Sequence, residues 1–199
     1  MSTFLNSRES EGTRLPGTLN PGPIRHRTVF VDRDGVINRN RSDYVKSWEE
    51  LELFPGAIDA MALMSRSGRD LIVLTNQSAI ARRLVTMETV DDIHARIAAL
   101  VGDRGGSIKA FLVCPHAPGD QCDCRKPAPG LFFRAQREFQ VDLSDAVMIG
   151  DQASDVEAAF AAGCEAILVD ALGTANVSHS LECTVVASIA EAAHLVCGE

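Results

Sequence analysis

No run of apolar residues in this 199-residue chain approaches the roughly 20 needed to span a bilayer. The first residues also lack the apolar core of a signal peptide. A cytoplasmic protein with no membrane partner is therefore expected. Basic residues are scarce relative to acids: 19 Lys and Arg face 27 Asp and Glu, for a formal charge of -8. Proteins that bind nucleic acid usually carry a basic field, so this balance argues against a polyanion partner. Internal repeats are absent. Six cysteines in a chain of this kind fit metal ligands or buried thiols better than a disulfide framework. The remainder is ordinary for a soluble protein, 46% hydrophobic and 23% charged, with length enough for one domain and a substantial core.

Residues 1–27 are rich in Ser, Gly, Pro, Arg and Glu without sustained periodicity. They are expected to form a flexible N-terminal extension, with a small docking role left open, ahead of a single domain at 28–199. Short apolar runs predict strands at Val29–Val31, Leu71–Leu74, Ala110–Val113, Ala146–Ile149 and Ala166–Val169, with a weaker one at Thr184–Ala187. Helical patterns fall at about 56–67, 87–101, 129–139, 153–162 and 188–196, with starts at Pro55-Gly56, Thr86, Pro129 and Ser188. This alternation predicts an α/β fold: a mostly parallel sheet with helices on both faces. Ligands bind such sheets beyond the carboxyl ends of the strands. Polar residues do gather there: Asp32 and Asp34, then Thr75-Asn76-Gln77-Ser78, then Cys114-Pro115-His116, then Gly150-Asp151.

Asp32 and Asp34 stand two apart at the end of an apolar strand, so both point to one side if the segment is extended. Gly35 lets the chain turn away. One acid can then attack while the other handles a proton. A calcium loop is a poor fit, because an EF-hand wants an oxygen ligand at position five, where Val36 stands, and glycine at six. A strand-ending turn with solvated acids stays open for this pair alone. Asp151 opens a helix, where an acid serves simply as a cap. Alternatively, it joins Asp32 in holding a hard divalent cation such as magnesium. Asp155, one turn later, is expected to orient a neighbour rather than bind metal. A carboxylate attacking a phosphate ester needs cationic and hydroxyl partners to offset anion repulsion. Lys126 can supply the ammonium and Thr75 the hydroxyl, although a lone Thr-Asn pair after a strand is commonly only a turn.

Taken together, Asp32-Arg33-Asp34-Gly35, Thr75-Asn76-Gln77, Lys126 and Gly150-Asp151 resemble the four motifs of the haloacid dehalogenase (HAD) phosphatase superfamily. Cys114-Pro115-His116 followed by Cys122-Asp123-Cys124-Arg125-Lys126-Pro127 is similar to its zinc-containing heptose-bisphosphate and histidinol-phosphate phosphatases. The match covers about residues 28–170. It implies a Rossmann-like HAD fold, an aspartyl-phosphate intermediate and catalytic Mg²⁺, with no large cap domain recognisable in the sequence. Asp32 would be the nucleophile and Asp34 the acid/base, with the Asp34 backbone carbonyl also on the metal beside Asp32 and Asp151. Thr75 and Lys126 complete the expected catalytic set.

Cys114, His116, Cys122 and Cys124 offer three thiolates and one imidazole, a set suited to a closed tetrahedral zinc site. The alternative is buried thiols plus a surface histidine. With four protein ligands the zinc has no open position, so its expected role is structural. Fixing Cys124 fixes where Arg125 and Lys126 begin, and zinc loss is expected to misplace Lys126. Cys164, Cys183 and Cys197 lack such neighbours and read as core or incidental thiols.

The stretch from Thr75 to Arg82 resembles the heptose branch, except that Ala79 and Arg83 replace two glycines. Tyr44-Val45 also resembles that branch, whereas Gln152 stands where a basic residue is often found. A bisphosphate needs cations for its second phosphate, and the site loops carry Arg39, Arg41, Arg82, Arg83 and Arg125, some of which belong to an ordinary solvated surface. The expected substrate contacts are Asn76, Gln77, Ser78, Arg82 and Arg125. The expected reaction is removal of the 7-phosphate from a D-glycero-D-manno-heptose 1,7-bisphosphate by a monomer. Histidinol-phosphate hydrolysis and non-catalytic phosphosugar binding are the alternatives.

Overall fold

The computed structural model describes residues 27–170 and 183–198. Apart from Arg27, the expected N-terminal extension lies outside the described residues. Six strands form one sheet: β1 (Thr28–Val31), β2 (Asp70–Asn76), β3 (Ala110–Cys114), β4 (Ala146–Gly150), β5 (Glu165–Val169) and β6 (Thr184–Val186). Their order is β3-β2-β1-β4-β5-β6, and every pairing is parallel. The chain winds outward through β2 and β3, then returns to the other side of β1 with β4. That reversal creates the crevice where open α/β sheets bind ligands.

Among the described residues five α-helices lie between strands, α1 (Ala57–Arg66), α2 (Ser78–Ala81), α3 (Met87–Asp103), α4 (Gly130–Phe139) and α5 (Ala153–Ala162), and α6 (Ile189–Cys197) follows β6. Side chains alternate along each strand, so the sheet feeds two cores. Val29, Val31, Leu71, Val73, Val147 and Ile149 pack against residues of α1, α3 and α6. Phe30, Ile72, Leu74, Leu112 and Met148 face α4 and α5. There Phe132 meets Phe30 edge to face, with ring centroids 4.9 Å apart. By the same alternation Asp32 continues the Phe30 side, toward α4 and α5.

The expected helix starts hold where a cap is visible: Thr86 Oγ1 accepts from Thr89 N and Ser188 Oγ from Glu191 N. At α5, Gln152 and Asp155 form a reciprocal capping box. Three strands run further at their carboxyl ends than the apolar runs suggested, because Thr75, Asn76, Cys114 and Gly150 still pair with neighbours. Thr75 thus sits inside β2 rather than beyond it. The sixth strand stops at Val186, one residue short of the expected end. The four-residue α2 is too short to show a helical period and was not expected. Among the described residues, the long connections at 32–56 and 115–129 carry no inserted cap domain.

Candidate active site

β1 and β4 end level, since Val31 pairs with Ile149, and the Asp32 amide donates to the Ile149 carbonyl at 2.9 Å. Asp32 and Asp151 therefore leave adjacent strand tips on the same edge. Gly35 follows with φ +94°, and a Cβ there would collide with the Asp151 carboxyl group. The turn needs glycine both for its backbone angle and for this close approach. Gly150 is likewise pinned, because a Cβ would strike the Asp155 side chain.

Asp32, Asp151 and Asp155 place carboxylate oxygens within 4.8 Å of one another. Lys126, almost wholly buried, joins two of them, reaching Asp155 Oδ1 at 2.7 Å and Asp32 Oδ1 at 2.9 Å. Its ammonium also donates to the Leu74 carbonyl at 2.7 Å. Burial opposes the Lys126 charge, but attraction to Asp155 and Asp32 outweighs it and holds the ammonium above its usual range. Burial pushes Asp32 up to about 8; Lys126 pulls against this, while Asp155 and Asp34 add to it. Asp151 is pushed up to about 6, chiefly by burial, with its hydrogen bond from Gln152 opposing.

Two crowded acids that resist ionisation have an unmet need for positive charge. Asp151 Oδ1 is buried with no hydrogen-bond partner, although Gln152 Nε2 donates to Oδ2 at 2.7 Å. Asp32 and Asp151 thus fit a hard cation. Asp155 is committed to Lys126 and to the Gln152 amide, which is the orienting use expected of it.

Asp34 sits beside this cluster with both oxygens engaged. Arg33 Nη2 donates to both at 2.9 and 2.8 Å, Asn38 Nδ2 to Oδ1 at 2.9 Å, and Gln77 Nε2 to Oδ2 at 2.7 Å. The same Gln77 nitrogen donates to Thr75 Oγ1 at 2.8 Å. Arg33 and Asn38 were overlooked in the sequence, where Arg33 reads as a spacer between two acids. His94 of α3 was also missed. It is buried, stacks on Phe111, and is drawn down to about 3 by burial and Arg33 against the pull of Asp34, which keeps it neutral.

Asn76, expected to meet substrate, has its amide on both backbone groups of Lys126, at 3.1 Å each. A cavity of about 320 Å³ opens over the acids, large enough for a small phosphorylated ligand. Asn76, Gln77 and Ser78 line it. Of the five arginines only Arg41, Arg82 and Arg125 do so. Arg39 pairs with Glu52 and lies over Phe54, and Arg83 is exposed elsewhere. Arg41 is already held by Asp43, whereas Arg82 lies 5.9 Å over the Tyr44 ring and Arg125 Nη1 meets the His116 carbonyl at 3.2 Å.

At the end of β3 the Cys114 sulfur lies 3.7 Å from Cys122 and 3.3 Å from Cys124. His116 Nδ1 lies 3.6 Å from Cys114 and 3.3 Å from Cys124. A tetrahedron with arms of about 2.3 Å has edges near 3.8 Å, so the four ligands, all within 4.8 Å of one another, suit zinc with shifts of about half an ångström. Burial, reinforced at Cys124 by its neighbours, raises the Cys114 and Cys124 thiols, a crowding that a bound cation relieves by taking them as thiolates.

A parallel sheet whose switch point gathers a strand-tip acid pair, a third acid and a buried lysine is built for phosphoryl transfer. Comparison with known proteins narrows this. The HAD-hydrolase-like family model matches residues 123–192. D-glycero-beta-D-manno-heptose-1,7-bisphosphate 7-phosphatases of Pseudomonas putida and Pseudomonas aeruginosa are each 42% identical over 141 residues. The alignments cover 71% of this chain and 81% and 79% of theirs. Among solved structures, D,D-heptose 1,7-bisphosphate phosphatase from B. bronchiseptica, complexed with magnesium and phosphate, superposes with TM-score 0.77 at 34% identity. It covers 84% of this chain and 96% of its own. The Burkholderia thailandensis enzyme of the same name gives TM-score 0.62 at 28% identity, with the same coverage. The chain belongs to this family of HAD-like phosphatases.

Proposed function

We propose that the chain hydrolyses the 7-phosphate of D-glycero-D-manno-heptose 1,7-bisphosphate through an aspartyl-phosphate on Asp32. The observation that carries this is the Asp32–Lys126–Asp155 arrangement beside Asp151, one residue beyond the sheet. It supplies a nucleophile, a buried cation and a cation-seeking acid in one crevice. Asp32, Asp151 and the Asp34 backbone carbonyl would hold Mg²⁺, which when bound supplies positive charge to offset that of the phosphate oxygens.

Asp32 Oδ1 is held by Lys126 and by the Arg33 amide at 2.8 Å, leaving Oδ2 to attack phosphorus. As the Asp32–phosphorus bond forms, the bond from phosphorus to the sugar oxygen breaks, and Asp34 gives that oxygen its proton. Asp34 then takes a proton from water, which attacks the aspartyl-phosphate. Inorganic phosphate leaves and Asp32 is restored. Lys126 and Thr75 Oγ1 steady the phosphoryl oxygens throughout. Arg82 and Arg125, which line the cavity together with Ser78, would take the second phosphate. Cys114, His116, Cys122 and Cys124 would hold zinc, which when bound would order the loop that ends at Arg125.

The catalytic unit is read as 28–199, acting as a cytoplasmic monomer with no nucleic-acid or membrane partner. The charge of -8 supports this, and among the described residues no helix is long and apolar enough to cross a membrane. The test compares kcat/KM for both anomers of the heptose bisphosphate and for histidinol phosphate with Mg²⁺ present. The β anomer, named in the relatives, is expected to be hydrolysed fastest, with release lost in Asp32→Asn. Preference for histidinol phosphate sinks the substrate assignment, and no release from any of them sinks the enzymatic one.

A further inference from the structure

Arg33 is the largest fully buried side chain of the described residues, at 1% exposure, yet its guanidinium is poorly served. Nε and Nη1 have no hydrogen-bond partner, and among the described residues Asp34 is the only side chain to which the guanidinium donates. Burying an arginine with two unpaired nitrogens is costly, and the fold gains no other contact from the charge. The contact it does make falls on the residue that handles the proton in the proposed reaction. A carboxylate has about four lone-pair positions. At Asp34 all four are met: two by Arg33 Nη2, one by Asn38 and one by Gln77.

We propose that Arg33 is a positioning residue for Asp34. Together with Asn38 and Gln77 it fixes the carboxylate in one orientation at the crevice, and Gln77 ties that orientation to the Thr75 hydroxyl. Arg33 and Asn38 come from the β1 turn itself, where the Ile37 and Asn38 amides both donate to the Arg33 carbonyl, so the backbone holds them rigidly. Gln77 and Arg33 line the cavity and Asn38 does not. Arg33 is bound to Asp34 by charge as well as by two hydrogen bonds, so Gln77 is the donor a substrate can draw away, freeing the Asp34 oxygen that carries the proton given to the leaving oxygen or taken from water.

This inference rests on Asp34 being the acid/base, and the test separates the two ideas. First-turnover release of the leaving group is measured for two phosphate esters: the sugar phosphate, whose alkoxide needs a proton, and p-nitrophenyl phosphate, whose phenolate does not. Arg33→Met is expected to slow the sugar phosphate about 10–100-fold, part of the 10²–10⁴ that acid–base catalysis supplies, and to leave the aryl ester within about 3-fold. Placed in Asp34→Asn, it should add no further loss, because both changes act through one group. Circular dichroism and thermal melting check folding. If Arg33→Met does not fold, Arg33→Lys carries the same comparison, with a smaller loss expected because an ammonium lacks the planar fork. Equal slowing of both esters, or full additivity with Asp34→Asn, overturns the positioning role alone. An Asp34→Asn variant that slows both esters equally overturns the acid/base role of Asp34 and this inference with it.

Discussion

The acidic cluster and the cysteine loop share one edge of the sheet but are assembled in opposite ways. Asp32, Lys126 and the Asp151–Asp155 turn come from three separate segments and meet only once β1 and β4 lie side by side. Cys114, His116, Cys122 and Cys124 come from eleven consecutive residues and need only a metal to gather them. The contrast sorts the two neighbouring cations. Lys126 follows the cysteine loop in sequence but belongs to the acidic cluster, its ammonium held by Asp32, Asp155 and the Leu74 carbonyl and its backbone by the oxygen and nitrogen of the Asn76 side-chain amide. Among the described residues the Arg125 side chain makes a single hydrogen bond, to the His116 carbonyl within the loop. The sequence suggested that zinc loss misplaces Lys126; given its anchors outside the loop, we expect the larger displacement at Arg125.

The largest effect expected is at the distributed cluster. Asp32→Asn should lower phosphate release by at least about 10³-fold, since no other group is placed to attack. Its melting temperature should stay level or rise, because burial and the neighbouring Asp155 and Asp34 disfavour the Asp32 charge more than Lys126 favours it. Asp155→Asn comes next. It breaks a buried ion pair, so urea unfolding should show a loss of about 3 kcal/mol, and kcat should fall as Lys126 loses its anchor.

Zinc removal should act differently. With Mg²⁺ retained, KM for the bisphosphate should rise about 10-fold, as expected for a lost arginine–phosphate contact worth about 1.4 kcal/mol, while kcat changes less. Arg125→Ala in zinc-loaded protein should reproduce that split. Collapse of kcat at unchanged KM would return Lys126 to the zinc loop and undo the contrast.

The cluster's pH response follows from the acids themselves. Asp32 and Asp151 bind protons in the folded state up to about 8 and about 6, against 3.8 when unfolded. Between about 4 and 8 the folded state therefore holds more protons, and stability of metal-free protein falls as pH rises through that window. Added Mg²⁺ should restore it. Calorimetry in two buffers of different ionisation heat should show Mg²⁺ binding releasing protons, more at pH 6 than at pH 8.5. The smallest effect is expected away from both regions. Cys164→Ala, at a buried thiol with no thiol partner, should cost about 1 kcal/mol and leave kcat and KM unchanged.

The two regions were also unequally legible. Strand alternation announced the sheet, because buried parallel strands are continuous apolar runs such as Val29–Val31 and Ala146–Ile149. The acids after those runs, the cysteine spacing and the caps at Thr86 and Ser188 were readable for the same local reasons. Strand ends were not, since Thr75 and Gly150 extend the ladder by pairing with residues distant in sequence. Arg33 and Asn38 escaped notice because burial, not composition, makes them consequential. Arg39 and Arg83 counted as site cations until the fold turned them elsewhere, and Asn76 gave no local sign that it would hold the Lys126 backbone.

The central claim is that this distributed cluster makes Asp32 a nucleophile. Rapid-quench turnover of substrate carrying a radiolabelled 7-phosphate, followed by peptide mapping, tests it directly. Label should appear within the first turnover on the peptide containing Asp32, decay as inorganic phosphate forms, and be absent in Asp32→Asn. Phosphate release with no labelled peptide, or with label on another residue, would contradict it.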